Sequence, residues 1–224
     1  MASLKEKIGY GFGDMSSSMF WKIFSAYLPI FYATVFHLSL EVTGVLMLVT
    51  RIWDAVSDPM MGIISDRTNT RWGKYRPYLL WMSIPFAIAG VMLFTKPEFG
   101  EPGNTIWAFF TYILMMTVYT GINVPYGSML GVMTEDSDEK TVFSSFRMFF
   151  AYAGSFIVLA LWEPLCNFFA NMIGTLKEGE TLTRDPQAWQ YAMMVIGVTC
   201  FALFVLTFLM TREHVKTVEK TTSV

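Results

Sequence analysis

The chain has 224 residues, 54% of them hydrophobic and only 15% charged, against roughly 25% in soluble domains. That balance marks an all-α integral membrane protein, and a net charge of −2 gives no basis for a nucleic-acid partner. His37 and His214 are the only histidines, and Cys166 and Cys200 lie far apart in apolar runs, so no zinc cluster is available and the thiols read as buried and inert.

Six spans are predicted, near 8–35, 41–65, 77–95, 105–133, 143–173 and 188–211. The first is too long for a cleavable signal and contains Asp14 and Lys22. Its Gly9, Gly11 and Gly13 superficially match a dinucleotide loop, but no strand precedes them. Small residues at this spacing serve close helix packing. Ser18 and Trp21 follow Asp14 by four and seven residues and share its helix face, with Ser17 beside them. Carboxylate, hydroxyls and an aromatic ring suit a sugar, whose hydroxyls and C–H face need both kinds of contact. The bland alternative makes Asp14 a packing or inner-gate residue.

The second span carries the strongest signal. Arg51, Asp54 and Asp58 fall three and four residues apart, on one face of an apolar helix. A charge at the bilayer centre costs at least about 2.5–3.5 kcal/mol, so that face must meet protein or water. Asp54 and Asp58 supply hard oxygens for Na⁺ or Li⁺, and close carboxylates equally suit a proton. Arg51 is the charge partner when the cation leaves. The competing reading is a structural salt-bridge network. Pro59 weakens the hydrogen-bond ladder beside Asp58.

After this span comes a basic loop, SDRTNTRWGKYRP. Asp66, Arg67 and Arg71 are candidates for a cytoplasmic gate, clamped against a neighbouring helix end. Ordinary positive-inside bias accounts for part of the cluster. The fourth span holds VYTGINVPYGSMLG, where Pro125 and three glycines are expected to break helix regularity. Tyr119 and Asn123, four apart, face one cavity, and Gly127 with Gly131 reads as a packing face. Arg147 in the fifth span either snorkels to the inner interface, donates to sugar hydroxyls, or partners an acid. Lys22 and Glu163 are ambiguous.

Lysine and arginine counts orient the chain. With the amino terminus inside, inner segments carry Lys5, Lys7, Arg67, Arg71, Lys74, Arg76, Lys140, Arg212, Lys216 and Lys220. Outer ones carry only Lys96, Lys177 and Arg184, so both termini are expected in the cytoplasm. Two triplets of spans fit a 3+3 inverted repeat.

RIWDAVSDPMMG followed by SDRTNTRWGKYRP resembles the glycoside–pentoside–hexuronide:cation symporters, the melibiose-permease-like group of the major facilitator superfamily. GYGFGD and the Tyr119–Thr120–Asn123–Pro125 run fit the same group. The resemblance implies a cation-coupled sugar symporter in the bacterial inner membrane. It implies Asp54, Asp58 and Thr120 as the cation site, with Na⁺, Li⁺ or H⁺ as coupling ion and no other cofactor. It assigns Arg147 and Tyr119 to sugar. Ser18 and Asn123 stand where melibiose permease has sugar-binding aspartates, and Gly127 where it has a tryptophan. Asp14, one turn from Ser18, is the candidate replacement, and the sugar is expected to differ from melibiose.

Family members have about twelve spans in two six-helix halves. This chain ends after the sixth and is expected to be the amino-terminal half, completed by a carboxy-terminal half or a second copy. The alternative is a non-transporting six-helix scaffold or sensor. An enzyme is not expected: no histidine lies inside a span, and the Ser16–Ser18 run has only Asp14 nearby.

Overall fold

The computed structural model describes residues 3–177 and 179–215; Lys216 and Lys220 lie outside the described residues. Helix α1 (Leu4–Phe31) starts with a capping box in which Ser3 and Glu6 satisfy each other's backbone donors. It runs through Pro29 into a π-helical turn at Tyr32–Phe36, closed by His37 in a left-handed conformation. Ser39 caps α2 (Leu40–Arg67). Then follow α3 (Arg76–Trp81), α4 (Ser83–Leu93), α5 (Gly103–Met133), α6 (Ser137–Ile173) and α7 (Pro186–Met210). No named strand occurs among the described residues.

Five stretches are long and apolar enough to cross a bilayer: Leu4–Phe36, Arg76–Leu93, Gly103–Met133, Ser137–Ile173 and Pro186–Met210. Helix α2 matches them in length, at 28 residues, but its embedded charges make it less apolar. Helices α3 and α4 form one broken rod. Pro85 lacks the N–H that would bond the Trp81 carbonyl, and its ring crowds that carbonyl, so the helix breaks at Met82.

The expected break at Pro125 does not occur, and α5 is continuous over 31 residues. One lost hydrogen bond is tolerated, as it is at Pro29 and Pro164, and the turn is also held from α1. Tyr126 stacks on Tyr10 at 4.7 Å, and its hydroxyl donates to the Tyr10 carbonyl at 2.6 Å. Helix α2 likewise continues through Pro59.

Helix α1 packs mainly on α6 and α7, α4 on α7 and α5, and α2 on α5. In a bilayer such contacts are driven by close packing rather than by water. The three glycines of α1 serve that purpose. A Cβ on Gly9 would lie 2.4 Å from Met210 Cβ, one on Gly11 2.4 Å from the Phe150 ring, and one on Gly13 2.4 Å from the Tyr126 ring. Gly127 and Gly131 behave otherwise. Both are exposed, and nothing lies within 4 Å of an added Cβ, so the expected packing face is open among the described residues. Met210 Cβ is anchored to its helix and cannot swing aside. Gly9→Ala is therefore expected to destabilise by about 1–3 kcal/mol, while Gly44→Ala, in open space, changes little. Thermal unfolding of the two purified variants checks this.

Beyond this seam the core is aromatic. Trp189 lies against Phe31, Phe94 and Trp162, and both tryptophans are fully buried. Cys166 and Cys200 are buried free thiols. Glu163, ambiguous in sequence, accepts a hydrogen bond from Tyr27 at 3.1 Å.

Candidate functional site

Two polar bonds tie the thinly covered α2 to α5. Thr120 Oγ1 donates to Asp58 Oδ1 at 2.9 Å, and Trp53 Nε1 donates to Thr117 Oγ1 at 2.8 Å. One turn from Asp58, the Oδ1 of half-buried Asp54 is shielded from solvent and accepts no hydrogen bond. A desolvated carboxylate oxygen without a donor is costly. Arg51 does not supply one. Its guanidinium lies 5.9 Å from the Trp21 ring on α1 instead. Asp58 and Thr120 thus join where α2 meets α5, with Asp54 one turn away on α2.

On the other side of α5, α1 meets α6. Arg147 Nε donates to Asp14 Oδ2 at 3.0 Å, and the two side chains are 38% and 16% exposed. The exposures matter: this pair is too buried for free solvation and open enough for a ligand to reach. Of the readings open for Arg147, the acid partner is the one the geometry displays. The guanidinium also sits 5.4 Å from the Tyr126 ring. Ser18 is half-buried on the same helix face as Asp14, whereas Ser17 turns inward, with its buried Oγ unpartnered. Ser16 donates to the Cys200 carbonyl at 3.2 Å, a packing bond between α1 and α7.

Tyr119 and Asn123 lie on α5 between these two charged pairs. Asn123 spends its amide on the Tyr119 carbonyl at 3.1 Å, which leaves its own carbonyl oxygen available as an acceptor. The Tyr119 ring lies 5.4 Å from Trp21 and 6.3 Å from Phe20 and Phe86.

The family model described as MFS/sugar transport protein matches residues 9–224. The chain belongs to that family. It is 41% identical over 95% of its length to YagG of Escherichia coli (strain K12), a candidate glycoside/cation symporter, and covers 44% of that protein. It is 36% identical over 99% of its length to the inner membrane symporter YicJ of the same strain, covering 46% of it. It is 34% identical over its whole length to the isoprimeverose transporter of Lactiplantibacillus pentosus, covering 45%. The chain thus spans somewhat under half the length of the curated relatives it matches.

In this MFS chain the loop after α2 folds onto itself and onto the segment after α7. Asp66 accepts from the Tyr75 hydroxyl at 2.6 Å and meets Lys74 Nζ at 3.3 Å. Partial burial works against the Lys74 charge, but Tyr75 and Asp66 outweigh it and hold its pKa above the ordinary lysine value. Arg67 and Arg71 are exposed, and Arg71 stacks over Trp72 at 4.7 Å. Among the described residues Asp66 is the one gate candidate that is clamped, and its partners belong to its own loop.

The anchor that sequence reading missed is Glu213. Its carboxylate accepts the backbone N–H groups of Lys74, Tyr75 and Arg76 at 2.8, 2.8 and 2.9 Å. Gly73, at φ +114°, makes room, since a Cβ there would lie 2.5 Å from the Glu213 carboxyl carbon. The available signal was a Gly-containing turn running into Pro77, which leaves donors free, and an acid soon after the last span. Glu213→Ala leaves three half-buried N–H groups without an acceptor. It is expected to cost about 2–3 kcal/mol and to expose the 68–76 loop, read as a lowered Tm and faster limited proteolysis there.

Proposed function

We propose that this chain is the amino-terminal six-helix portion of a cation-coupled sugar or glycoside symporter of the bacterial inner membrane, with both termini cytoplasmic. The coupling cation, Na⁺, Li⁺ or H⁺, binds at Asp54 and Asp58 with Thr120. The glycoside binds beside it, against Tyr119 and Asn123, with Asp14, Ser18 and Arg147 contributing from α1 and α6. One observation carries the reading: the shielded, unpartnered Asp54 Oδ1 lies one turn from an Asp58 already bonded to Thr120 across the helix interface. An ionisable residue inside a membrane span is a functional-site candidate by default, and Asp54 keeps one oxygen without a donor.

Asp54 and Asp58 sit on α2 and the Asp14–Arg147 pair between α1 and α6, with α5 between them. A cation that orders the α2–α5 contact improves the sugar site on the next face of α5, and sugar improves cation affinity by the same factor. A second six-helix half, or a second copy, closes the cavity over the open faces of α2 and α5 and rocks about it.

The test is thermal stability of the purified protein at constant ionic strength, in NaCl, LiCl or choline chloride, between about pH 5 and 8, with and without a panel of glycosides. A cation-dependent rise in Tm that a glycoside increases supports the proposal. Indifference to every cation, to pH and to every glycoside points instead to a non-transporting scaffold.

A further inference from the structure

A cavity of about 320 Å³ opens where α1 begins and α7 stops, away from the charged pairs of the proposed transport site. Its volume falls within the range of about 300–1,000 Å³ usual for small-molecule sites. Ser3, Lys5 and Glu6 line it from the start of α1, and Leu209, Arg212 and His214 from the end of α7. It lies at the level of a membrane surface, because the apolar stretches of these two helices begin at Leu4 and end at Met210.

The charges there are unevenly paired. Both oxygens of Glu6 are engaged, one by the Ser3 N–H at 3.0 Å and the other by His214 Nε2 at 2.6 Å. Glu213, between Arg212 and His214 in sequence, is taken by the three backbone N–H groups of the 74–76 turn. Lys5 and Arg212 are exposed, and among the described residues neither has a hydrogen bond or an ion pair. Positive-inside bias accounts for cations at this end, but not for a hollow between two unpaired ones. At the same end Lys74 meets Asp66, and Arg76 donates to the Phe208 carbonyl at 2.6 Å. The flank is apolar: Leu209, and Leu4 beside Lys5, are each 63% exposed. A water-soluble anion uses only the cations. A phosphodiester carrying acyl chains uses the cations and the leucines together. An ammonium headgroup finds no free carboxylate at the cavity, which disfavours zwitterionic phosphatidylethanolamine.

We infer that this cavity binds the headgroup of an anionic phospholipid, with Lys5 and Arg212 on its phosphate and an acyl chain along Leu4 and Leu209. Arg212 supplies a planar fork of donors and Lys5 a point charge. Basic pockets between membrane helices hold acidic headgroups in this way. The inference needs only that the chain spans a membrane, and it stands apart from the sugar reading. A bound headgroup joins α1 to the segment after α7. That segment also donates from the His214 N–H to the Val132 carbonyl at the end of α5, at 3.0 Å, and anchors the 74–76 turn through Glu213. The lipid therefore steadies this whole end of the bundle.

The test is thermal unfolding of the purified protein at its native length, in neutral detergent at fixed pH and ionic strength, without glycoside. The additions are phosphatidylglycerol, phosphatidylethanolamine of the same chains, and glycerol 3-phosphate. Phosphatidylglycerol is expected to raise the Tm in a saturable way, and the other two are expected to leave it unchanged. Lys5→Gln and Arg212→Gln are each expected to weaken the apparent phosphatidylglycerol affinity about fivefold, the worth of one basic residue beside an acidic lipid. Arg212→Lys keeps most of the rise. Lys140→Gln, at the start of α6 and outside the cavity, keeps all of it. The two Gln variants lie on different segments and remove no bond among the described residues, so each is expected to unfold at the parent Tm in phosphatidylethanolamine. Equal rises with both phospholipids overturn the inference, as does a phosphatidylglycerol rise that survives both Gln variants or falls as far in Lys140→Gln. An equal rise with glycerol 3-phosphate overturns the lipid and makes the cavity a site for a soluble phosphate.

Discussion

Asp58→Cys is expected to abolish cation stimulation of glycoside binding. Of the two carboxylates of the candidate cation site, Asp58 is the one bonded across the helix interface among the described residues, to Thr120 at 2.9 Å. Cysteine keeps a small polarisable side chain but withdraws a hard oxygen and a negative charge, and Thr120 loses its acceptor. Asp54 then stands alone. Coupling energies between linked sites are typically about 1–3 kcal/mol, a 5- to 150-fold change in affinity. That factor is expected to fall to one in the variant. Thr120→Ala, which keeps both carboxylates, is expected to weaken the cation about tenfold and leave coupling measurable, and Thr120→Ser should restore it. The measurement is glycoside Kd with Na⁺ or Li⁺ against choline at fixed ionic strength, and across pH for a proton. Linkage supplies an internal check, because the glycoside must raise cation affinity by the same factor. Stimulation that persists unchanged in Asp58→Cys would take the cation site away from α2.

What the sequence disclosed and what it withheld divide along local and tertiary lines. Rod lengths, the charged face of α2 and the close-packing glycines of α1 follow from composition and spacing, which are local quantities. The spacing of Gly127 and Gly131 is equally local, but it says only that a helix can be approached there, and the described chain offers no partner. Prolines show the same limit. Pro125 and Pro85 remove one donor each, yet only Pro85 breaks its helix. The surroundings of each proline are tertiary: the turn at Tyr126 bonds the Tyr10 carbonyl of another helix, 116 residues away. The same holds for the loop after α2. Its basic residues suggested a clamp, but the anchoring acid, Glu213, lies 137 to 139 residues further on.

The pairing of Asp14 with Arg147 belongs with these, and it separates a structural role from a ligand role. Asp14→Asn leaves a half-buried guanidinium with no acid in place of its partner, and Arg147→Ala leaves a carboxylate 16% exposed without its donor. Each single change is expected to cost about 2 kcal/mol, between the near-zero worth of a surface pair and the 3–5 kcal/mol of breaking a fully buried one. The double change is expected to cost less than the sum, with a coupling of about 1–2 kcal/mol. Charge reversal, Asp14→Arg with Arg147→Asp, restores the attraction and should recover much of the Tm. It does not restore the geometry of the ligand face. Arg147 now reaches the site from α6, over Tyr126, and Asp14 reaches it from α1, one turn from Ser18. After reversal, donor and acceptor have changed walls, and a ring with fixed hydroxyls cannot follow them. Recovered stability with glycoside binding still lost places this pair in contact with substrate. Recovery of both confines it to holding α1 against α6.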